Sequence, residues 1–309
     1  AYSNTKSYST DAPSRIRDFA IVAHVDHGKT TLMDKLLSQC NQNVSTERIM
    51  DNNALEKERG ITISSKYTCF KWKEHTFNAV DTPGHADFGG EVERVLSMVD
   101  GCVLLCDAME GPLAQTKFVV SKALAKGLQP LIVLNKVDRP AVTEEQCLSV
   151  ESDLFDLFAN LGATDQQLDF KVLYASAREG IATYSFDRTR ALLAQKEAGN
   201  PGPLEEAGMN DLLDAIMEHV PSPQGVCLQL LIPRRDPADH FRMLVTMIER
   251  DAFMGRLVTG RVMSGTAKVG DHIKSLSRTG ELKEDSKVTK IFTRQAMSKV
   301  PCATPLPTE

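Results

Sequence analysis

The stretch Ala23-His24-Val25-Asp26-His27-Gly28-Lys29-Thr30-Thr31 follows the apolar run Phe19-Ala20-Ile21-Val22. It matches the phosphate-loop pattern G-x-x-x-x-G-K-[ST] at every fixed position except the first, where alanine replaces glycine. A strand before it and a helix after it are the context that the motif demands. Residues 19–25 read as a short apolar strand, and residues 30–40 as a helix with Leu32, Leu36 and Leu37 inward. Gly28 lets the backbone turn with its amides aimed inward, and those amides and the helix start form an anion nest, with Asp26 and His27 as further candidate nucleotide-binding residues. Lys29 then reaches the β- and γ-phosphates, the Thr30 hydroxyl binds Mg²⁺, and Thr31 is a further candidate nucleotide-binding residue. Alanine at position 23 is tolerable if its φ is negative.

Working outward, Tyr67–Asp81 holds two strands, "YTCFKW" and "HTFNAV", ending at Asp81 in "VDTPGH". A carboxylate at that strand end reaches the Mg²⁺ shell directly or through water. Gly84 offers an amide to a γ-phosphate and allows a large backbone swing. A third signal is "NKVD" at 135–138, again ending a buried strand. The Asp138 carboxylate matches the N1–H and 2-amino donors of guanine, and adenine lacks both, so its site would be left unpaired. Asn135 suits the ring edge at N7 and a tie between neighbouring loops. The Lys136 stem suits one face of the base. Ser176 and Ala177, in "YASA", suit a backbone amide to the guanine O6. Each motif taken singly also fits an ordinary turn. Together they indicate a site for GTP and GDP with Mg²⁺.

Helical spacing recurs at Val92, Val95, Leu96 and Val99, at Val119, Val120, Ala123 and Leu124, and at Leu154, Phe155, Leu157, Phe158 and Leu161. These alternate with the apolar strands "GCVLLCDA", "PLIVLN" and "FKVLYASA". The pattern predicts an α/β phosphate-loop GTPase domain with a mostly parallel sheet over residues 15–220, after a disordered leader at 1–14. Residues 180–209 carry "GNPGP" and read as an excursion without order before a closing helix with Leu212, Leu213, Ile216 and Met217. Residues 221–226 are a proline-bearing linker. Beyond it the period changes to two in "FRMLVTMIERD", "GRLVTGRVMSG", "AKVGDHIKSL" and "SKVTKIF". That predicts a small all-β, barrel-like second domain at 227–295, incomplete at its final strands, with an irregular tail at 296–309.

The 309 residues carry a net charge of −5, so no global positive field draws the chain to nucleic acid. No apolar run approaches the ~18 residues of a membrane span. Seven cysteines without a C-x-x-C pair suit buried thiols in a reducing compartment.

The same stretches carry a resemblance. "AHVDHGKTTLMDKLL", "MDNNALEKERGITI", "VDTPGHADFGGEVERVLSMVDG", "GPLAQTKFVV" and "LNKVDRP" resemble the translational GTPases. "NLGATDQQLDF" followed by "LYASA" is most similar to the TypA/BipA family, which is elongation factor G-like and ribosome-associated. The resemblance covers about residues 15–295. It includes alanine at position 23.

The resemblance implies several roles. Thr62 of "RGITI" closes on Mg²⁺ and the γ-phosphate, making the metal set Thr30, Thr62 and Asp81. Asp26 lies near the phosphates, although chemistry alone also fits a solvated loop acid. His85 is the catalytic residue that places the attacking water, with Val25 and Ile61 as an apolar gate before it. The implied activity is hydrolysis of GTP to GDP and phosphate, coupled to ribosome binding in translation or ribosome assembly. The implied partners are ribosomal RNA and ribosomal proteins, with a monomer off the ribosome. A mitochondrion or plastid is favoured over the cytosol.

Family members continue past the barrel into further domains, so the resemblance implies a C-terminally truncated form. Two alternatives stand beside this reading. One is a GTP-dependent protein-binding switch outside translation. The other is a truncated form that binds GTP without ribosome-stimulated activity.

Overall fold

The structure is a computed structural model that describes residues 13–40, 65–82, 89–199, 208–223, 240–251, 253–295 and 298–301. The chain divides into two units, one spanning Arg17–Ser222 and the other formed by Ala1–Ile16 with Pro223–Glu309.

The first unit is built on β1 (Ile16–Ala23), α1 (Lys29–Cys40), β2 (Lys66–Trp72), β3 (His75–Asp81), α2 (Gly89–Leu96) and β4 (Gly101–Asp107). It continues through α3 (Ala114–Ala125), β5 (Pro130–Asn135), α4 (Glu144–Asn160), α5 (Asp165–Leu168) and β6 (Val172–Ser176). It closes with β7 (Ile181–Thr183), α6 (Phe186–Glu197) and α7 (Asn210–His219). Seven strands form one sheet in the order β2-β3-β1-β4-β5-β6-β7. The pairs β1/β4, β4/β5 and β5/β6 are parallel, and the outer pairs β2/β3 and β6/β7 run antiparallel.

Every residue of β4 and β5 is buried, as expected for central parallel strands covered on both faces. Val92, Val95 and Leu96 of α2, Val119 and Val120 of α3 and Leu154 of α4 pack into one core cluster with Leu104 and Leu134. Cys102, Cys106 and Cys147 sit in that cluster as free thiols. Burial pushes the first two up to about 12, so they remain protonated and act as small hydrophobes.

Two expectations change in this unit. Residues 180–209 are not an unordered excursion in their described part: Ile181–Thr183 pairs with β6, and Phe186–Glu197 is a helix. Ser185 caps that helix by accepting the Arg188 N–H, and Phe186, Thr189, Leu192 and Leu193 form its buried side. The Gly/Pro run after it masked a short amphipathic segment. Phe155 does not line the core, because it falls on the outer face of α4 and is 46% exposed. Leu154 and Phe158 take the inward positions.

The second unit contains β8 (Arg242–Asp251), β9 (Gly255–Ser264), β10 (His272–Leu276), β11 (Leu282–Lys287), β12 (Phe292–Gln295) and β13 (Ser298–Pro301). Among the described residues these pair as three antiparallel hairpins, in keeping with the all-β expectation. Asp251 shapes the first turn by accepting the N–H groups of Phe253 and Met254, both at 2.8 Å. "SKVTKIF" is split between β11 and β12 rather than being one strand. Ser298–Pro301 extends pairing into what reads from sequence as an irregular tail.

Candidate functional site

The candidate site lies in the Arg17–Ser222 unit, at the carboxyl ends of β1, β3, β4, β5 and β6, where open parallel sheets place ligands. Ala23 is the last residue of β1 and pairs with Leu105 of β4. It is therefore extended, and glycine is not needed there. The left-handed positions fall later, at Asp26 (φ 65°) and Gly28 (φ 94°). Aspartate tolerates that conformation better than most side chains. At Gly28 a Cβ would stand 2.6 Å from Asn135 Nδ2, so only glycine fits.

Lys29 opens α1 almost wholly buried, and its Nζ is 3.0 Å from Asp81 Oδ1 at the end of β3, where Asp81 is fully buried. The Thr82 hydroxyl donates to the Ile21 carbonyl at 2.8 Å and pins the strand end beside the loop. Thr30 is half-buried on the first turn of α1, and Thr31 is exposed. Asp26 is exposed, Val25 half-buried and His27 buried.

Asn135 joins the loops. Its Nδ2 donates to the His27 carbonyl at 2.8 Å, and its Oδ1 accepts the Ala177 N–H at 2.8 Å. One buried amide thus ties the phosphate loop to the Ser176–Ala177 segment. The Ala177 amide is thus donated to Asn135, in a segment where the sequence suits a backbone amide of Ser176 or Ala177 to guanine O6. Ser176 is fully buried at the end of β6. Asp138 is half-buried three residues beyond Asn135.

Lys136 adopts φ 66°, and its Nζ lies 2.8 Å from Asp107 Oδ2. Arg139 Nη1 approaches the same oxygen at 3.1 Å. Burial pushes the Asp107 carboxyl up, but the Lys136 hydrogen bond, the Met109 N–H and the two cations outweigh it and hold the group below its ordinary value. The Asp107 N–H donates to His27 Nδ1 at 3.3 Å. Chiefly through burial, His27 is held below its ordinary value, so the ring is neutral and Nδ1 is free to accept. On the far side Arg190 of α6 donates to the Val137 carbonyl at 2.9 Å.

Asp107, Arg139 and Arg190 are absent from the sequence reading. Asp107 left a signal: it is a carboxylate ending an apolar strand, as Asp81 is, and it stands opposite Asn135 in the β4/β5 register. Arg190 left none, because its helix was not recognised. Thr62, Ile61, Gly84 and His85 lie outside the described residues.

The arrangement suits the expected ligand. A Gly28 cradle that a Cβ would fill, the Lys29 ammonium and a helix start fit phosphates. A Thr30 hydroxyl and the Asp81 carboxylate are hard oxygen donors of the kind Mg²⁺ takes together with phosphate oxygens. Among the described residues no cluster of three or more His, Cys, Asp or Glu side chains offers an all-protein metal site, and no helix is long and apolar enough to cross a membrane.

Comparison with known proteins agrees with this geometry. Residues 14–222 match the elongation factor Tu GTP binding domain. The large ribosomal subunit assembly factor BipA of Synechocystis sp. is 43% identical over 289 residues, which are 92% of this chain and 43% of that protein. BipA of Escherichia coli strain K12 is 42% identical over 290 residues, 93% of this chain and 43% of the relative. The chain therefore spans less than half the length of these relatives. The crystal structure of a bacterial selenocysteine-specific elongation factor, EF-Sec, superposes with a TM-score of 0.61 at 21% identity, over 94% of this chain and 41% of that one, a likeness of fold.

Proposed function

The chain belongs to the elongation factor Tu-type GTP-binding family, and from that premise we propose that it is a GTP hydrolase whose turnover is coupled to ribosome binding, in translation or ribosome assembly. The observation that supports the reading is the Asn135 bridge between the His27 carbonyl and the Ala177 N–H. The named relatives, large ribosomal subunit assembly factors, support the ribosomal part.

In this reading the Gly28 amide, Lys29 and the α1 start hold the phosphates, with Asp26, His27 and Thr31 around them. Asp138 accepts from guanine, Lys136 covers the base, and Ser176 and Ala177 border it. Thr30, Asp81 and Thr62 hold Mg²⁺, which when bound draws negative charge off the phosphate oxygens. Gly84 presents its amide to the γ-phosphate, and His85 orients the attacking water. The chain contributes positioning and charge, with no covalent step of its own. The protein is a monomer off the ribosome, and a mitochondrial or plastid setting with bacterial-type ribosomes fits the resemblance.

Two assays test this. Co-sedimentation with ribosomes should require a non-hydrolysable GTP analogue, and ribosomes should accelerate phosphate release. His85→Ala should keep nucleotide binding and lose on the order of 10²-fold or more of the stimulated rate. Phosphate release indifferent to ribosomes would leave a GTP-binding protein without the ribosomal coupling.

A further inference from the structure

A charge cluster centred on Asp107, a residue with no assigned contact to the nucleotide, stands behind the base-reading loop and shares Lys136 and His27 with the nucleotide site. Asp107 ends β4, wholly buried. Its Oδ2 lies 2.8 Å from Lys136 Nζ and 3.1 Å from Arg139 Nη1, and its Oδ1 accepts the Met109 N–H at 2.8 Å. Its own N–H is donated to His27 Nδ1 in the phosphate loop at 3.3 Å. A buried carboxylate is tolerated only when its charge is answered, and here two cations pair with Oδ2 while the Met109 N–H is donated to Oδ1.

The two cations come from the loop that follows β5. Lys136 is a non-glycine residue at φ 66°, a conformation that persists when its surroundings hold it. Asp138 follows two residues later. Without the carboxylate, Lys136 and Arg139 would repel and only backbone contacts, such as the Val137 N–H to the Ala175 carbonyl at 3.2 Å, would hold the loop. Arg190 steadies the same loop only through the Val137 and Arg139 carbonyls, at 2.9 and 3.5 Å, and does not neutralise it.

We propose that Asp107 is a positioning residue for guanine nucleotide. Its carboxylate fixes the Lys136–Arg139 loop and its amide fixes His27, so one residue sets the spacing between the base-reading loop and the phosphate loop. The inference rests on the guanine-nucleotide reading and deepens it. A purely structural ion pair would alter thermal stability and leave base discrimination alone. A positioning role alters discrimination, because the Asp138 carboxylate reads guanine only if its loop is correctly placed.

The experiment uses the full chain with fluorescent nucleoside diphosphates. Affinities and dissociation rates are measured for GDP, for ADP and for inosine diphosphate, which lacks the 2-amino group. Asp107→Asn should weaken GDP about tenfold, with faster dissociation. It should also narrow the preference for GDP over inosine diphosphate. Lys136→Met removes the other half of the pair, and the double variant should bind GDP within about twofold of Lys136→Met alone, the non-additivity of residues acting as a unit. Arg139→Gln, at a partly exposed position, should shift affinity and preference in the same direction by about threefold.

A wild-type protein that does not prefer GDP to ADP would overturn the guanine site, and this inference with it. A wild type that does, with an Asp107→Asn variant unchanged in GDP affinity and base preference, would overturn the role of Asp107 alone. So would strictly additive losses in the double variant. If Asp107→Asn does not fold, Arg139→Gln decides: an unchanged base preference there overturns the proposal.

Discussion

Lys29 Nζ and Asp81 Oδ1 stand 3.0 Å apart, with Lys29 7% exposed and Asp81 wholly buried. They arrive from opposite sides of the loop, one opening α1 and the other ending β3. A pair so placed is held as much by what its loss would cost as by what it contributes, since Lys29 without the Asp81 charge is a buried cation short of its counter-ion.

Asp81→Asn should therefore lower the unfolding free energy of the nucleotide-free protein by about 3 kcal/mol, read by urea denaturation. Replacing both, as Lys29→Met with Asp81→Leu, should recover much of that loss while abolishing nucleotide binding. A double variant less stable than the single one would show that the pair is not the source of the effect.

Gly28→Ala tests the cradle. The new Cβ would press on Asn135 Nδ2 from 2.6 Å at a φ of +94°, so the Asn135 bond to the His27 carbonyl must open. GDP affinity should fall at least about tenfold, with far-ultraviolet circular dichroism unchanged. Unaltered affinity would mean that the loop accommodates a side chain by another route.

Asp138→Asn tests the identity of the base. An amide can donate to the 2-oxo group of xanthine where the carboxylate accepted from the guanine amine. GTP binding should weaken on the order of 10³-fold while xanthosine triphosphate gains. Equal GTP affinity in both proteins would remove Asp138 from the site.

Stability should fall on mild acidification. His219, at the end of α7, is held below its ordinary value of 6.5, chiefly by burial and further by the Lys171 charge, and burial does the same to His27. Both bind a proton less readily folded than unfolded. Their stabilising contribution is full above pH 6.5 and is lost as pH drops from there through the folded values. The thermal midpoint should be lower at about pH 5.5 than at about pH 7.5, and His219→Gln should flatten the slope. A pH-independent midpoint would contradict the burial argument.

Some of this was legible in the chain itself. Buried runs such as "GCVLLCD" and "PLIVLN" encode central parallel strands because hydrophobic patterning is local and periodic. The phosphate loop and the Asn135–Asp138 motif are short, with each residue type dictated by the chemistry it faces. Their placement at strand ends was correct in outline, and the alanine at position 23 was admissible on sterics alone. The helix Phe186–Glu197 was not legible, because its buried side rests on four residues, one of them a threonine tied to the Tyr174 carbonyl on β6.

What only the tertiary structure decided is which polar groups answer one another across distant strands. Nothing in the spacing links Asp107 to Lys136 and Arg139, or Arg190 to Val137, or gives the Ala177 amide to Asn135. Motifs report what a segment offers to a ligand, since that demand falls on neighbouring residues. The contacts that hold those segments in one frame are made between side chains tens of residues apart, and burial makes them selective. An unpaired polar atom inside a protein is costly enough that its partner is fixed, but the partner's position in the chain is set by the order of strands in the sheet.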